Sequence, residues 1–244
     1  QVGAGRRQAR LAAVVAAVVA MLLVVTGCGS STGGSAAQTG PISAVDRYGG
    51  DLAKEGTPKK GGTLIWGHSE TTQSLDMHVT GSASTLRLLE NIHCPIVTVD
   101  KAFNVIPMLA ESFEESPDGL TYTFKLRKDV KFHDGKPMTA ADVKYSFDRV
   151  RDPKTGAVNF EVFKDVTSIE TPDANTVIVK LGRVNAPFLS RLAENGAGVI
   201  MPADSGEGQA NMPVGAGPFK FVRREFGHEV ELVRFDDYFE RPAY

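Results

Sequence analysis

Five histidines, His68, His78, His93, His133 and His228, are the side chains best suited to acid–base or metal chemistry, and their spacing supports neither. No two stand four residues apart, and no H-E-x-x-H pattern occurs. His68 and His78 could meet around a metal, but two such residues read more simply as polar surface or cleft groups, so no metal is expected. His133-Asp134 in F-H-D-G-K reads as turn chemistry, because Asp before Gly favours a tight reversal. The adjacent carboxylates Glu114-Glu115 and Asp236-Asp237 would point to opposite faces of a strand and cannot act across one bond. The nucleophile elbow G-x-S-x-G and the phosphate-cradling Walker loop are both missing. Gly196-Ala197-Gly198 and Gly215-Ala216-Gly217 begin like dinucleotide fingerprints but lack the third glycine, and the second runs into Pro218. These residues predict neither an enzyme nor a cofactor. Binding is the better prospect. Gly67-His68-Ser69-Glu70-Thr71-Thr72 is a polar string after the apolar T-L-I-W-G, and polar groups at a strand end can hold a ligand by hydrogen bonds alone. The same residues fit a solvated loop equally well.

Several elements would have to position that string. Thr63 to Gly67 predicts a strand, and Ser82 to Glu90 carries apolar residues at helical spacing. Ile96 to Val99 is a short strand. Glu111–Phe113 and Leu120–Leu126 flank Ser116-Pro117-Asp118-Gly119 and predict a hairpin. Leu120, Tyr122, Phe124 and Leu126 alternate with Thr121, Thr123 and Lys125, the mark of a strand with one buried face. Thr139 with Asp142 resembles a capping box and opens a helix that presents Val143, Phe147 and Val150 on one side. Val166–Glu170 and Thr176–Leu181 are strands around the turn Pro172–Asn175. A short helix covers Ala186 to Ala193. Pro218–Arg224 and Glu229–Phe235 form a second hairpin around Gly227. Strands and helices mix without strict alternation, so the fold class is mixed α/β, or α+β, with substantial antiparallel sheet.

Composition bounds the rest. The chain has 244 residues, 42% hydrophobic and 23% charged, which is globular composition. A net charge of −2 supplies no strong positive field, so no nucleic-acid partner is expected. Two cysteines, Cys28 and Cys94, exclude a disulfide-dense scaffold. Cys94 sits in apolar L-L-E-N-I-H-C-P-I-V and reads as a buried, inert thiol. Arg6, Arg7 and Arg10 precede the apolar run Leu11 to Val25, which at 1.5 Å per residue is too short for a hydrocarbon core of about 30 Å. Residues 1–27 therefore predict a secretory signal peptide. Val25-Thr26-Gly27-Cys28 resembles the bacterial lipobox, which implies lipidation of Cys28 and an extracytoplasmic protein anchored to the membrane. Without residues 1–27 the chain holds 24 basic and 29 acidic residues, net −5. Residues 28–60, rich in Gly, Ser, Thr and Ala, predict a flexible tether.

Three blocks carry a family resemblance: G-G-T-L-I-W-G-H-S-E-T-T-Q-S-L-D-M-H from Gly61, P-M-L-A-E-S-F through D-G-K-P-M-T-A-A-D-V from Pro107 to Val143, and P-V-G-A-G-P-F-K-F through D-D-Y-F from Pro213. In that order they closely resemble the family 5 solute-binding proteins of ABC importers, the peptide and nickel binders. Ala216 and Phe219 depart from the family's Thr and Tyr in the last block, and Asp236-Asp237 stands near its Asn-Pro. The resemblance implies a periplasmic-binding-protein-like lobe: a core at 61–77 and 165–244, and an inserted subdomain at 78–164. The chain is expected to carry this first lobe without the second. It implies a monomeric lipoprotein that captures peptides or a similar small solute and delivers it to ABC permease subunits. The ligand-facing residues carried over are His68, Ser69, Glu70, Thr71 and Thr72, with Gly215, Ala216 and Gly217 near a hinge. Asp76, in S-L-D-M-H, is expected to form a structural cap or turn. Rival readings are a nickel or sugar binder of the same fold, a non-binding remnant, and an exported lipid-anchored hydrolase.

Overall fold

The computed structural model describes residues 61–194 and 196–240. The signal peptide, Cys28 and the tether expected at 28–60 lie outside the described residues.

Among the described residues, eight strands and three α-helices follow in chain order: α1 (Ala83–Leu89), β1 (Val97–Val99), β2 (Val105–Pro107), β3 (Ala110–Glu115), β4 (Thr121–Leu126), α2 (Ala140–Arg151), β5 (Val166–Asp173), β6 (Thr176–Leu181), α3 (Phe188–Leu192), β7 (Phe219–Glu225) and β8 (Glu229–Arg234). β3, β4, β6 and β5, in that order, form one antiparallel sheet. β1 pairs with β2, and β7 with β8, as separate two-stranded ribbons.

The sheet is built by alternation. Tyr122, Phe124 and Leu126 of β4 and Val177 and Val179 of β6 are sealed on the side where α2 presents Val143, Phe147 and Val150. Ring packing extends this layer, with Phe147 against Phe163 at 5.0 Å, Phe163 against Phe188 at 6.0 Å and Tyr122 against Phe188 at 5.1 Å. Such tilted and edge-on pairs add to simple burial. α2 begins where its residues require. Asp142 reaches back to accept from the Thr139 backbone N–H (2.7 Å) and hydroxyl (2.9 Å), so the shorter Asp closes the box that Glu usually closes.

The expected boundary between 78–164 and 165–244 falls inside this sheet. β4 pairs along its length with β6 from the other side of it, and one hydrophobic core runs through both segments. A line at 164 would cut a continuous ladder, because β6 is what covers the inner edge of β4. A second, smaller cluster gathers Leu75, Met77, Leu89, Ile92 and Val199, with Phe221 and Leu232 of the last hairpin against it.

One expected strand is not formed. Thr63–Gly67 has no ladder partner among the described residues, and Leu64 and Ile65 are each 91% exposed. The apolar run alone does not make a strand. A strand also needs a neighbour to bond with, and none lies beside this segment among the described residues.

Candidate functional site

The polar string at 68–72 therefore follows an exposed segment, not a buried strand. His68 packs its ring edge-on to Trp66 at 5.2 Å. Its Nε2 is enclosed and without a hydrogen-bond partner. Ser69, Glu70 and Thr71 are exposed, and Thr72 is buried. Glu70 accepts from the Ser82 hydroxyl at 2.6 Å, and Ser82 is the N-cap of α1, where it also accepts from the Thr85 N–H. The string is thus tied to the start of a helix, which orders it without consuming Thr71.

Two arginines hold its far end. Arg224 of β7 points Nη1 at the carbonyls of Thr72 and Gln73, each 3.5 Å away, and bonds Asn211 through Nη2 at 2.8 Å. Arg149 of α2 forks onto Asp76, with Nη1–Oδ1 at 3.1 Å and Nη2–Oδ2 at 2.5 Å. Asp76 also accepts from the His78 backbone N–H at 3.0 Å, and its own carbonyl accepts from the N–H groups of Val79 and Thr80. This is the turn former expected of Asp76. His78 is 1% exposed, and both ring nitrogens are engaged: Nε2 lies 3.1 Å from the Val199 carbonyl and Nδ1 lies 3.0 Å from Arg149 Nη1. Burial above all, and then the Arg149 charge, push its pKa down to about 4. His78 is therefore neutral at pH 7 and committed to structure. The residue that spacing arguments missed is Arg149. It stands 73 positions from Asp76, and only the run of apolar residues on the opposite side of α2 hints that its polar side faces something.

Gly215, Ala216 and Gly217 sit in a different setting. Ala216 is fully buried, and among the described residues no hydrogen bond joins this trio to 68–72. A Cβ on Gly215 would stand 2.2 Å from the Ile92 carbonyl oxygen, and one on Gly217 would stand 2.6 Å from that of Asn91. The backbone bonds that need this approach are Gly217 N–H to Ile92 at 2.8 Å and Phe219 N–H to Asn91 at 3.0 Å. His133 closes the other side. It donates its backbone N–H to Gly215 at 2.9 Å, and its Nε2 lies 3.0 Å from the Gly217 carbonyl. The trio, carried over as ligand-facing, packs against the 91–92 backbone here, because glycine is the residue that lets two backbones meet. The Cys94 thiol, buried as expected, donates to the Ala216 carbonyl at 3.5 Å.

His93, too, lies inside the fold. It is 2% exposed with neither nitrogen bonded, and burial pushes its pKa down to about 3. Glu225, His228 and Glu229 are the one trio of described residues whose donor atoms approach metal-ligand spacing, within 4.8 Å of one another. All three are exposed, and Arg223 already pairs with Glu229, so they read as charge pairing across a hairpin. An open depression of about 530 Å³ lies elsewhere, beside Asp165, Arg183 and Asn185. Its polar groups satisfy one another, Arg183 and Asn185 both bonding Asp165, and no sequence-predicted residue lines it.

The chain's relatives are consistent with a binding wall. Residues 104–244 match the bacterial extracellular solute-binding proteins, family 5. A peptide-binding protein ascribed to an ABC transporter in Brucella ovis is 39% identical over 151 residues, covering 59% of this chain and 28% of that protein. The oligopeptide-binding protein AppA of Bacillus subtilis is 33% identical over 200 residues, 78% of this chain and 36% of its own. The solved structure of the binding protein AgaA from A. tumefaciens R10, in complex with agropinic acid, superposes with a TM-score of 0.66 at 37% identity, over 70% of this chain and 35% of that one. The chain spans about a third of the length of the curated relatives it matches.

Proposed function

This chain belongs to the bacterial extracellular solute-binding proteins, family 5, and from that premise we propose that it contributes to capturing peptides outside the cell membrane for an ABC importer. The bound peptide passes to permease subunits, and a lipid on Cys28 holds the protein at the membrane. The 68–72 string forms part of the ligand-facing wall. Its exposed Ser69, Glu70 and Thr71 offer hydrogen bonds to a peptide main chain, a mode that tolerates varied side chains. Capture is non-covalent: affinity comes from a better fit to one arrangement of the binding walls than to another.

The observation that carries this reading is the family match over 104–244, supported by the oligopeptide-binding relative that aligns across 78% of the chain. Gly215–Gly217 pack their backbone against Asn91 and Ile92. Isothermal titration of the chain with a defined tripeptide and a nonapeptide tests the reading. Heat of binding is expected, and Glu70→Ala with Thr71→Ala weakens it by about tenfold, the scale of one or two lost hydrogen bonds. Absence of binding, or binding indifferent to both substitutions, overturns it. The agropinic acid held by AgaA favours a second reading, a binder of small polar solutes. Titration with an opine in place of peptide separates the two.

A further inference from the structure

The ligand-facing loop is anchored at a point more deeply buried than its exposed face. The Asp76 and Arg149 side chains are 6% and 13% exposed, so their fork is held away from water, where such a pair is strong and its loss costly. Arg149 makes a third bond, to His78 Nδ1, with the same Nη1 that touches Asp76. The chemistry of that bond fixes the state of the ring. The Val199 carbonyl can only accept, so His78 Nε2 carries a proton and donates to it. A guanidinium can only donate, so His78 Nδ1 must be bare. A second proton on the ring would occupy Nδ1, turn an N–H toward the N–H of Arg149, and set two cations 3.0 Å apart.

We propose that Arg149 is the positioning residue of the 68–78 loop, gripping it through Asp76 and through neutral His78, and that protonation of His78 loosens this grip. The inference rests on the reading of 68–72 as a ligand-facing wall. The groups that bear on His78 are Asp76 on its own loop, which favours the charged ring, and Arg149 on α2, which opposes it. His93, after α1, is close enough to interact with His78, and both are buried and neutral at pH 7. Burial outweighs Asp76, so the ring stays neutral until the pH falls to about 4. Below that point Arg149 loses its bond to His78 and grips the loop through Asp76 alone.

The chain carries its own reporters. Trp66 is the sole tryptophan, 53% exposed and stacked edge-on with His68 at the head of the loop. The His78 ring is followed by proton NMR. No peptide is needed for either reading. In the native chain, Trp66 emission and the His78 ring signals are expected to change together near pH 4. His78→Gln keeps a donor for Val199 and an acceptor for Arg149 but has no proton to gain. It is expected to abolish the Trp66 change in that window. Arg149→Lys keeps the charge and loses the fork, and should raise the His78 midpoint by about one unit and weaken tripeptide binding at pH 7 by about tenfold. The same Trp66 transition in His78→Gln as in the native chain, or an unmoved His78 midpoint in Arg149→Lys, overturns the proposal. If Arg149→Lys does not fold, the His78→Gln comparison still decides. If the native chain binds no peptide while both optical and NMR signals behave as expected, the ligand-wall reading fails and the anchoring role of Arg149 stands.

Discussion

The sheet of β3, β4, β6 and β5 and the hairpin of β7 and β8 are written in the same alphabet of alternating apolar strands, yet one is sealed and the other open. In β4, Tyr122, Phe124 and Leu126 are each 1% exposed or less, under the cover of α2. In the hairpin, Phe221 and Leu232 reach the small second cluster, while Val222 and Val233 remain 44% and 38% exposed and Phe226 at the turn 62%. Residues 63–66 stand further along the same line, with Leu64 and Ile65 uncovered. Alternation declares which face of a strand is apolar. Whether anything lies on that face is decided by a second layer, and here α2 supplies one for the sheet only. A two-stranded ribbon with little beneath it is marginal on its own terms. The comparison also bears on the proposed wall: Ser69, Glu70 and Thr71 lie on the open side, and Arg149, which forks onto Asp76, comes from the helix that seals the closed one.

The contrast breaks most readily at Phe147. This ring is fully buried on α2, stacked on Phe163 and above the sheet. Phe147→Ala leaves a cavity in a dense layer and is expected to cost about 3–5 kcal/mol, seen as a shift of the urea midpoint at unchanged slope. A loss below about 1 kcal/mol would mean that the sheet side is no better packed than the hairpin, and the contrast would fall.

Legibility in the sequence followed the same division. α2 was legible to its first residue because the cap, the apolar stripe and the length agree. Both hairpins were legible from their turns, Pro117-Asp118-Gly119 and Gly227. The lack of a strand at 63–67 was not, since a ladder partner is a long-range fact that no local window contains. The site was half legible. The polar string at 68–72 announced itself by composition, and Asp76 by its place in S-L-D-M-H. Arg149 did not, because its two partners are more than 70 residues away in the chain. The packing role of Gly215-Ala216-Gly217 was hidden for a related reason. A glycine pair marks a close approach of backbone, and the sequence does not say whether a ligand or Ile92 does the approaching.

That last point sharpens into a smaller effect. Gly215→Ala pushes a methyl into the Ile92 carbonyl and the His93 ring, where a Cβ would stand 2.2 and 2.6 Å away. Overpacking of this kind costs about 1–3 kcal/mol, because the 91–93 segment must back away and stretch the Gly217 and Phe219 bonds to it. Thermal melting measures the loss. Were Gly215 free of this seat, the same substitution would be nearly silent in stability and would act on solute binding alone. The two readings of the glycine therefore separate by which assay moves first.

The smallest effect belongs to the open side. Ile65→Ser removes an apolar side chain already 91% in water, so the transfer term that dominates core substitutions is almost absent. Loss of β-branched stiffness acts weakly and on the unfolded chain as much as the folded one. The expected change in stability lies within about 0.5 kcal/mol, an order below Phe147→Ala. A larger loss would show that Ile65 is covered in solution. The amide of Ile65 would then be protected from hydrogen exchange, since a strand that finds a ladder partner buries its N–H in the same step as its side chain. Exchange at Ile65 compared with Phe124 thus reads the contrast directly: rapid at the first and slow at the second if one region is open and the other closed.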